Sequence, residues 1–154
     1  MTIQSYLHRT RADLGGLIES GAWVRLVKGA LAEPADRAVR TVAGRNTRYR
    51  RCVAMLLGTT ARESGVYPAF ATHDAAIIGE IITQAHANGW SPEGYEFEML
   101  YGVRPDLQQA LADRGHRVRV YLPFGADWFP YAIRRVGESP RNLRFALRTL
   151  LPTI

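Results

Sequence analysis

The chain is poor in cysteine and in lysine, and it has no long apolar run. Cys52 is its one cysteine, so no disulfide can close within the chain and no cysteine cluster can hold a metal. A reducing cytosol is the compartment that this usage favours. No stretch approaches the roughly 20 apolar residues of a membrane-spanning helix. No leader of charged, then apolar, then small residues marks an export signal. His8, His73, His86 and His116 lack ligand-like spacing with one another, so no metal site is expected. The P-loop signature and the Gly-rich dinucleotide fingerprint are absent as well, which disfavours an open nucleotide-binding sheet.

What the chain has in abundance is arginine. Of 20 basic residues, set against 14 acidic ones for a formal charge of +6, 19 are arginine and only Lys28 is lysine. The arginines are scattered. Their densest run, Arg48, Arg50 and Arg51, reads as a solvated helix face and not as a nucleic-acid surface. Against this background the lone lysine marks a place where a compact ammonium is not interchangeable with a planar guanidinium.

A length of 154 residues predicts one domain, 1–154, with a real core. Runs rich in Val, Tyr, Phe and Ile predict strands over Thr2–Leu7, Trp23–Lys28, Val66–Thr72, Tyr95–Leu100 and Arg117–Leu122. Helical spacing lies between them. Leu14, Leu17 and Ile18 share a face that ends at Gly21, and Tyr49, Val53, Leu56 and Leu57 predict a helix over about 45–63. Asp74 is a good N-cap for a helix burying Ile77, Ile78, Ile81 and Ile82. Pro105 opens a helix with Leu107 and Leu111 inward and Gly115 at its end. Two more helices are expected over about 127–138 and 141–150.

This alternation predicts an α/β fold of parallel strands joined by right-handed crossovers. A (βα)8 TIM-type barrel fits best, because its chemistry gathers where the strands end. Gln4, Lys28, His73, Tyr101 and Tyr121 stand at or near the carboxyl ends of the five strands. A barrel closes with eight strands and roughly 250 residues. Five strands therefore predict part of a barrel, with unpaired edges and a large apolar interior open to water. A separate chain supplying strands, or self-association, is the expected remedy.

Two features carry chemistry. Tyr131, Arg134, Arg135 and Glu138 lie at i, i+3, i+4 and i+7, one face of a helix. Two neighbouring guanidiniums can grip a carboxylate by several charge-assisted hydrogen bonds, with Glu138 orienting them; a plain surface helix is the other reading of these residues. Arg25 sits inside a short apolar strand, where a charge must be paired or functional.

The stretches Trp23-Val-Arg-Leu-Val-Lys-Gly-Ala30, Ala71-Thr-His-Asp74, Phe97-Glu-Met-Leu-Tyr-Gly-Val-Arg104 and Tyr131-Ala-Ile-Arg-Arg135 stand in one order and register. Together they resemble the FAD-dependent bacterial proline dehydrogenases, from Gln4 to Leu151, beginning at the fourth strand of that family's distorted barrel. The resemblance implies oxidation of L-proline to Δ1-pyrroline-5-carboxylate by hydride transfer to FAD, with electrons passing on to a membrane quinone. It assigns Arg134, Arg135, Tyr131, Tyr121 and Leu100 to the substrate. It assigns Gln4, Arg25, Lys28, Thr72, His73 and Glu138 to the flavin. Taken alone, His73 reads as a helix-start histidine, and Tyr121 and Leu100 as core. Two departures stand out: Leu31 where the family usually has tyrosine, and Glu98 where glutamine is common. The family's early strands, which supply a lysine and an aspartate to the substrate site, have no counterpart here. A non-catalytic remnant, or half of a split enzyme acting in assembly, is the competing reading.

Overall fold

The computed structural model describes residues 1–29, 31–122 and 124–125. The order of elements is β1 (Thr2–Gln4), α1 (Thr10–Glu19), β2 (Trp23–Val27), α2 (Val42–Leu56), α3 (Thr59–Glu63), β3 (Tyr67–Ala71), α4 (Ala75–Ala87), β4 (Glu96–Leu100), α5 (Pro105–Asp113) and β5 (Arg117–Tyr121). The helices expected over 127–138 and 141–150 lie outside the described residues. No described helix is long and apolar enough to cross a membrane.

The five strands form one sheet in the order β1-β2-β3-β4-β5, every neighbouring pair parallel. Each strand lies beside its predecessor, so crossovers of one hand place all the helices on one face. That is the wall of a barrel. A doubly wound sheet would reverse its strand order at some point, and this one does not.

Side chains alternate between the two faces of each strand. Ile3, Val24, Leu26, Phe70, Phe97 and Met99 point to the helices and join Leu14, Ile18, Tyr49, Val53, Leu56, Ile77, Ile81 and Leu111 in a single apolar core. Phe70, Tyr95 and Phe97 meet edge-on or tilted there, with ring centroids 5.7 to 6.5 Å apart. Ile82 and Leu107, expected inside, are only partly buried against this core.

Local chemistry explains most boundaries. Asp74 caps α4, its Oδ1 accepting from the backbone N–H groups of Ala76 at 3.2 Å and Ile77 at 3.3 Å. Thr41 caps α2 through Gly44 N–H, so that helix starts at Val42, ahead of the expected 45. Pro105 sits in the first turn of α5, as its missing N–H allows. Gly21 follows α1 with φ +63.

Two expectations need correction. The helix expected over 45–63 is two helices, broken at Leu57 and Gly58. Gly58 is extended (φ −67, ψ 164). The Leu57 carbonyl accepts instead from Asn88 Nδ2 and Trp90 Nε1, both at 2.9 Å. The first strand is shorter than expected, ending at Gln4. Ser5 N–H still donates to Val27 O, but Tyr6 then turns inward to full burial and Leu7 pairs in isolation with Ala38.

Candidate functional site

Opposite the helices, register sets two rows of side chains across the sheet. Thr2, Arg25, Ala69, Glu96 and Arg117 form one; Gln4, Val27, Ala71, Glu98 and Arg119 form the next. The expected apolar interior is therefore wrong for these strands: four of five carry a charge or an amide on this face. Arg25 Nε is bonded to Glu98 Oε2, a contact between β2 and β4 that passes over β3. At these two rows β3 presents only Ala69 and Ala71 on this face, which leaves the room, and Ala69 is fully buried; Tyr67 faces the same way one row nearer the amino ends. The side chain of Glu98 is 9% exposed against 38% for Arg25. Nearer the amino ends, Glu96 takes a bidentate pair from Arg119, Nε to Oε1 at 2.7 Å and Nη2 to Oε2 at 3.0 Å. The Arg119 guanidinium lies 5.3 Å from the Trp23 ring centroid.

At the carboxyl ends the polar groups converge. Lys28, directly after β2, reaches Asp74 Oδ2 at 3.3 Å and lies 5.9 Å from the centroid of the buried Tyr49 ring. Burial pushes the Asp74 carboxyl up, but the N–H of Ile77, the Lys28 ammonium and the N–H of Ala76 outweigh it and hold the group below its usual range. Thr72 is buried, and its hydroxyl accepts from Asp74 N–H at 3.2 Å. His73 Nε2 accepts from the backbone N–H of Leu100 at 2.9 Å. An N–H can only donate, so the ring is neutral with its proton on Nδ1. Burial, and secondarily the Lys28 charge, hold His73 below the ordinary histidine range.

The segment after β2 is clamped by one side chain. Arg45, on α2, donates to Val39 O at 3.2 Å, Gly29 O at 3.3 Å and Leu31 O at 3.5 Å, and its guanidinium stacks 4.9 Å from the Tyr6 ring centroid. Gly29 has φ +94, and a Cβ there would lie 2.2 Å from the Tyr6 ring, so both shape and conformation call for glycine. Leu31 is exposed.

Gln4, Arg25, Lys28, Thr72, His73, Leu100 and Tyr121 thus lie on the last residues of β1 to β5, on the residues just after a strand or on the open face. Leu100 is half-buried and Tyr121 half-exposed, so neither is the core residue that the bare sequence suggests. Tyr131, Arg134, Arg135 and Glu138 lie outside the described residues. Sequence reasoning missed Arg45, Asp74 as the partner of Lys28, and the Arg119–Glu96 pair. For Asp74 a signal existed, since a capping carboxylate two residues past a strand also faces the strand ends. The donor set of two cations (each paired with a carboxylate), an amide, a hydroxyl and an imidazole fits the polar edge of a ring that gains negative charge. Cys52 is buried and its thiol is pushed up to about 11 by that burial, so it offers no nucleophile.

Residues 1–148 match the family model described as proline dehydrogenase. The chain is 43% identical over 149 residues to the proline dehydrogenase of Deinococcus radiodurans, covering 97% of this chain and 46% of that one. It is 40% identical over 150 residues to proline dehydrogenase 1 of Bacillus subtilis strain 168, covering 97% and 48% respectively. In three dimensions it resembles proline utilization A from Bdellovibrio bacteriovorus inactivated by N-propargylglycine, at a TM-score of 0.79 and 27% identity, over 96% of this chain and 17% of that one. The chain spans about half the length of the proline dehydrogenases that it matches. With this match running over nearly all its residues, and with the parallel barrel wall to carry it, the chain belongs to the proline dehydrogenase family.

Proposed function

We propose that this polypeptide, acting as one domain, contributes the carboxy-terminal wall of an enzyme that oxidises L-proline to Δ1-pyrroline-5-carboxylate. The family match over residues 1–148 carries the reading. FAD, when bound, would supply the two-electron acceptor, and a quinone would take the electrons onward. Gln4, Arg25, Lys28, Thr72, His73 and Glu138 are the residues proposed to hold the flavin. Arg25 and Lys28 bring positive charge, and Gln4 brings an amide. Thr72 and His73 shape the end of β3. Arg134 and Arg135 are proposed to take the substrate carboxylate, with Tyr131, Leu100 and Tyr121 around its ring.

No side-chain nucleophile is needed in this reading. Positioning and charge neutralisation carry the rate, which suits a face built from fixed ion pairs. The outer edges of β1 and β5 are unpaired among the described residues. We propose that further strands close the interior, supplied by more of the same polypeptide, by a separate chain or by self-association. The setting proposed is the cytoplasm, with peripheral docking at the inner membrane face where a quinone is reached.

The test is a closed barrel carrying this sequence as its carboxy-terminal part. Arg135→Met is expected to raise KM for proline about ten- to a hundredfold, the loss of a charge-assisted bond of roughly 1.5–3 kcal/mol, with flavin content unchanged. Unaltered proline kinetics with lost flavin would overturn the substrate assignment. Absence of any proline-dependent dye reduction by the closed barrel would overturn the activity.

A further inference from the structure

Glu98 is the residue of this face that the family pattern does not explain. It is 8% exposed, yet it carries a carboxylate. Its partner Arg25 stands two strands away. A long side chain spans that gap only because Ala69 and Ala71 leave the surface of β3 bare. Lys28 is drawn to Asp74, and Arg119 to Glu96, so among the described residues each of these three cations on or beside the open face has its own carboxylate.

We propose that Glu98 is a charge-setting and positioning residue. It holds the Arg25 guanidinium across β3 as an internal ion pair, so that an oxyanion arriving on this face meets a compensated pair and not a free cation. In the reading above, on which this inference rests, that oxyanion is the flavin ring as it gains negative charge. Glu98 then makes the ring harder to reduce than a neutral glutamine in its place would. Glutamine keeps the shape and removes the charge. It therefore unmasks Arg25 without emptying the space.

The pairing can be tested on this chain without any cofactor. Inorganic phosphate is titrated at low ionic strength, where screening is weak, while the Arg25 Nε–H resonance is followed by NMR. In the unaltered chain that resonance is expected to stay put through millimolar phosphate. A saturable shift there would overturn the proposal, and this arm decides by itself should the variant not fold. Glu98→Gln is expected to bind phosphate at Arg25 about tenfold tighter than the unaltered chain, and Arg25→Met/Glu98→Gln to lose the gain. A gain that survives the second substitution, or no gain at all, would also overturn it. These outcomes are independent of whether the closed barrel oxidises proline, so failure of the activity and failure of the charge pairing read out separately.

Discussion

The two faces of the sheet are built on opposite principles. Toward the helices, Val24, Leu26, Phe70 and Phe97 are fully buried in an apolar core without a charge among its members. On the other face Arg25, Glu96, Glu98 and Arg119 pair with one another over alanines. The first arrangement removes apolar surface from water, which is the main driving force of folding. The second gains little net stability, since desolvation offsets much of the attraction in a partly buried ion pair. The same five strands thus divide by parity: one set of alternate residues makes the core, and the other holds fixed, paired charge.

Substitutions on either side should separate the two roles. The largest effect is expected from Phe70→Ala, which removes a fully buried ring from the helix-facing core and should cost about 3–5 kcal/mol of unfolding free energy in a urea titration. A loss below about 1 kcal/mol would mean that this face is not the stabilising one. Arg25→Met comes next. It strands the Glu98 carboxylate without its partner, but Arg25 is more than a third exposed, so solvent screening limits the expected loss to about 1–2 kcal/mol. A loss as large as that of Phe70→Ala would erase the distinction between the faces.

A pH series sharpens it further. The unfolded chain returns His73 to its ordinary value of 6.5, whereas the folded chain holds it lower by burial and then by Lys28. Below 6.5 the unfolded state therefore binds a proton that the folded state refuses. This contribution to stability is complete above 6.5 and is lost as pH falls from there through the folded value. His116 is depressed in the same direction, also by burial first. The comparison to make is between the unaltered chain and His73→Gln, whose melting temperature should depend less steeply on pH between about 6.5 and 5. Identical slopes would show that burial and the Lys28 charge do not hold His73 down in the folded chain. The smallest effect is expected at Arg50, which pairs with Glu80 at 2.6 Å between two side chains nearly half exposed. Arg50→Ala should change stability by no more than about 0.5 kcal/mol.

Local features of this fold were legible and distant ones were not. All five strands announce themselves by residue type, and the Asp74 cap and the Pro105 start follow from chemistry within a turn. The break at Gly58 was not legible. It depends on Asn88 and Trp90 reaching back to the Leu57 carbonyl across more than thirty residues. The same limit applies to the site. Arg25 was legible as an anomaly, a charge within a strand, but its partner is 73 positions away. Reading the interior as apolar failed because the alternation of each strand had to be phased against the helices. Glu96, Glu98, Arg117 and Arg119 all carry the parity that points away from them.

The hold of Arg45 on the carbonyls of Gly29, Leu31 and Val39 has a kinetic consequence. Fixing one residue of backbone costs roughly 1–2 kcal/mol of conformational entropy, and here the segment between β2 and α2 meets that cost during folding. The backbone just past β2 is thus already held, its Gly29, Leu31 and Val39 carbonyls engaged by Arg45. In the proposed reading, capture there is a single step limited by encounter, and its observed rate should rise linearly with ligand concentration without the plateau that a slow loop closure imposes.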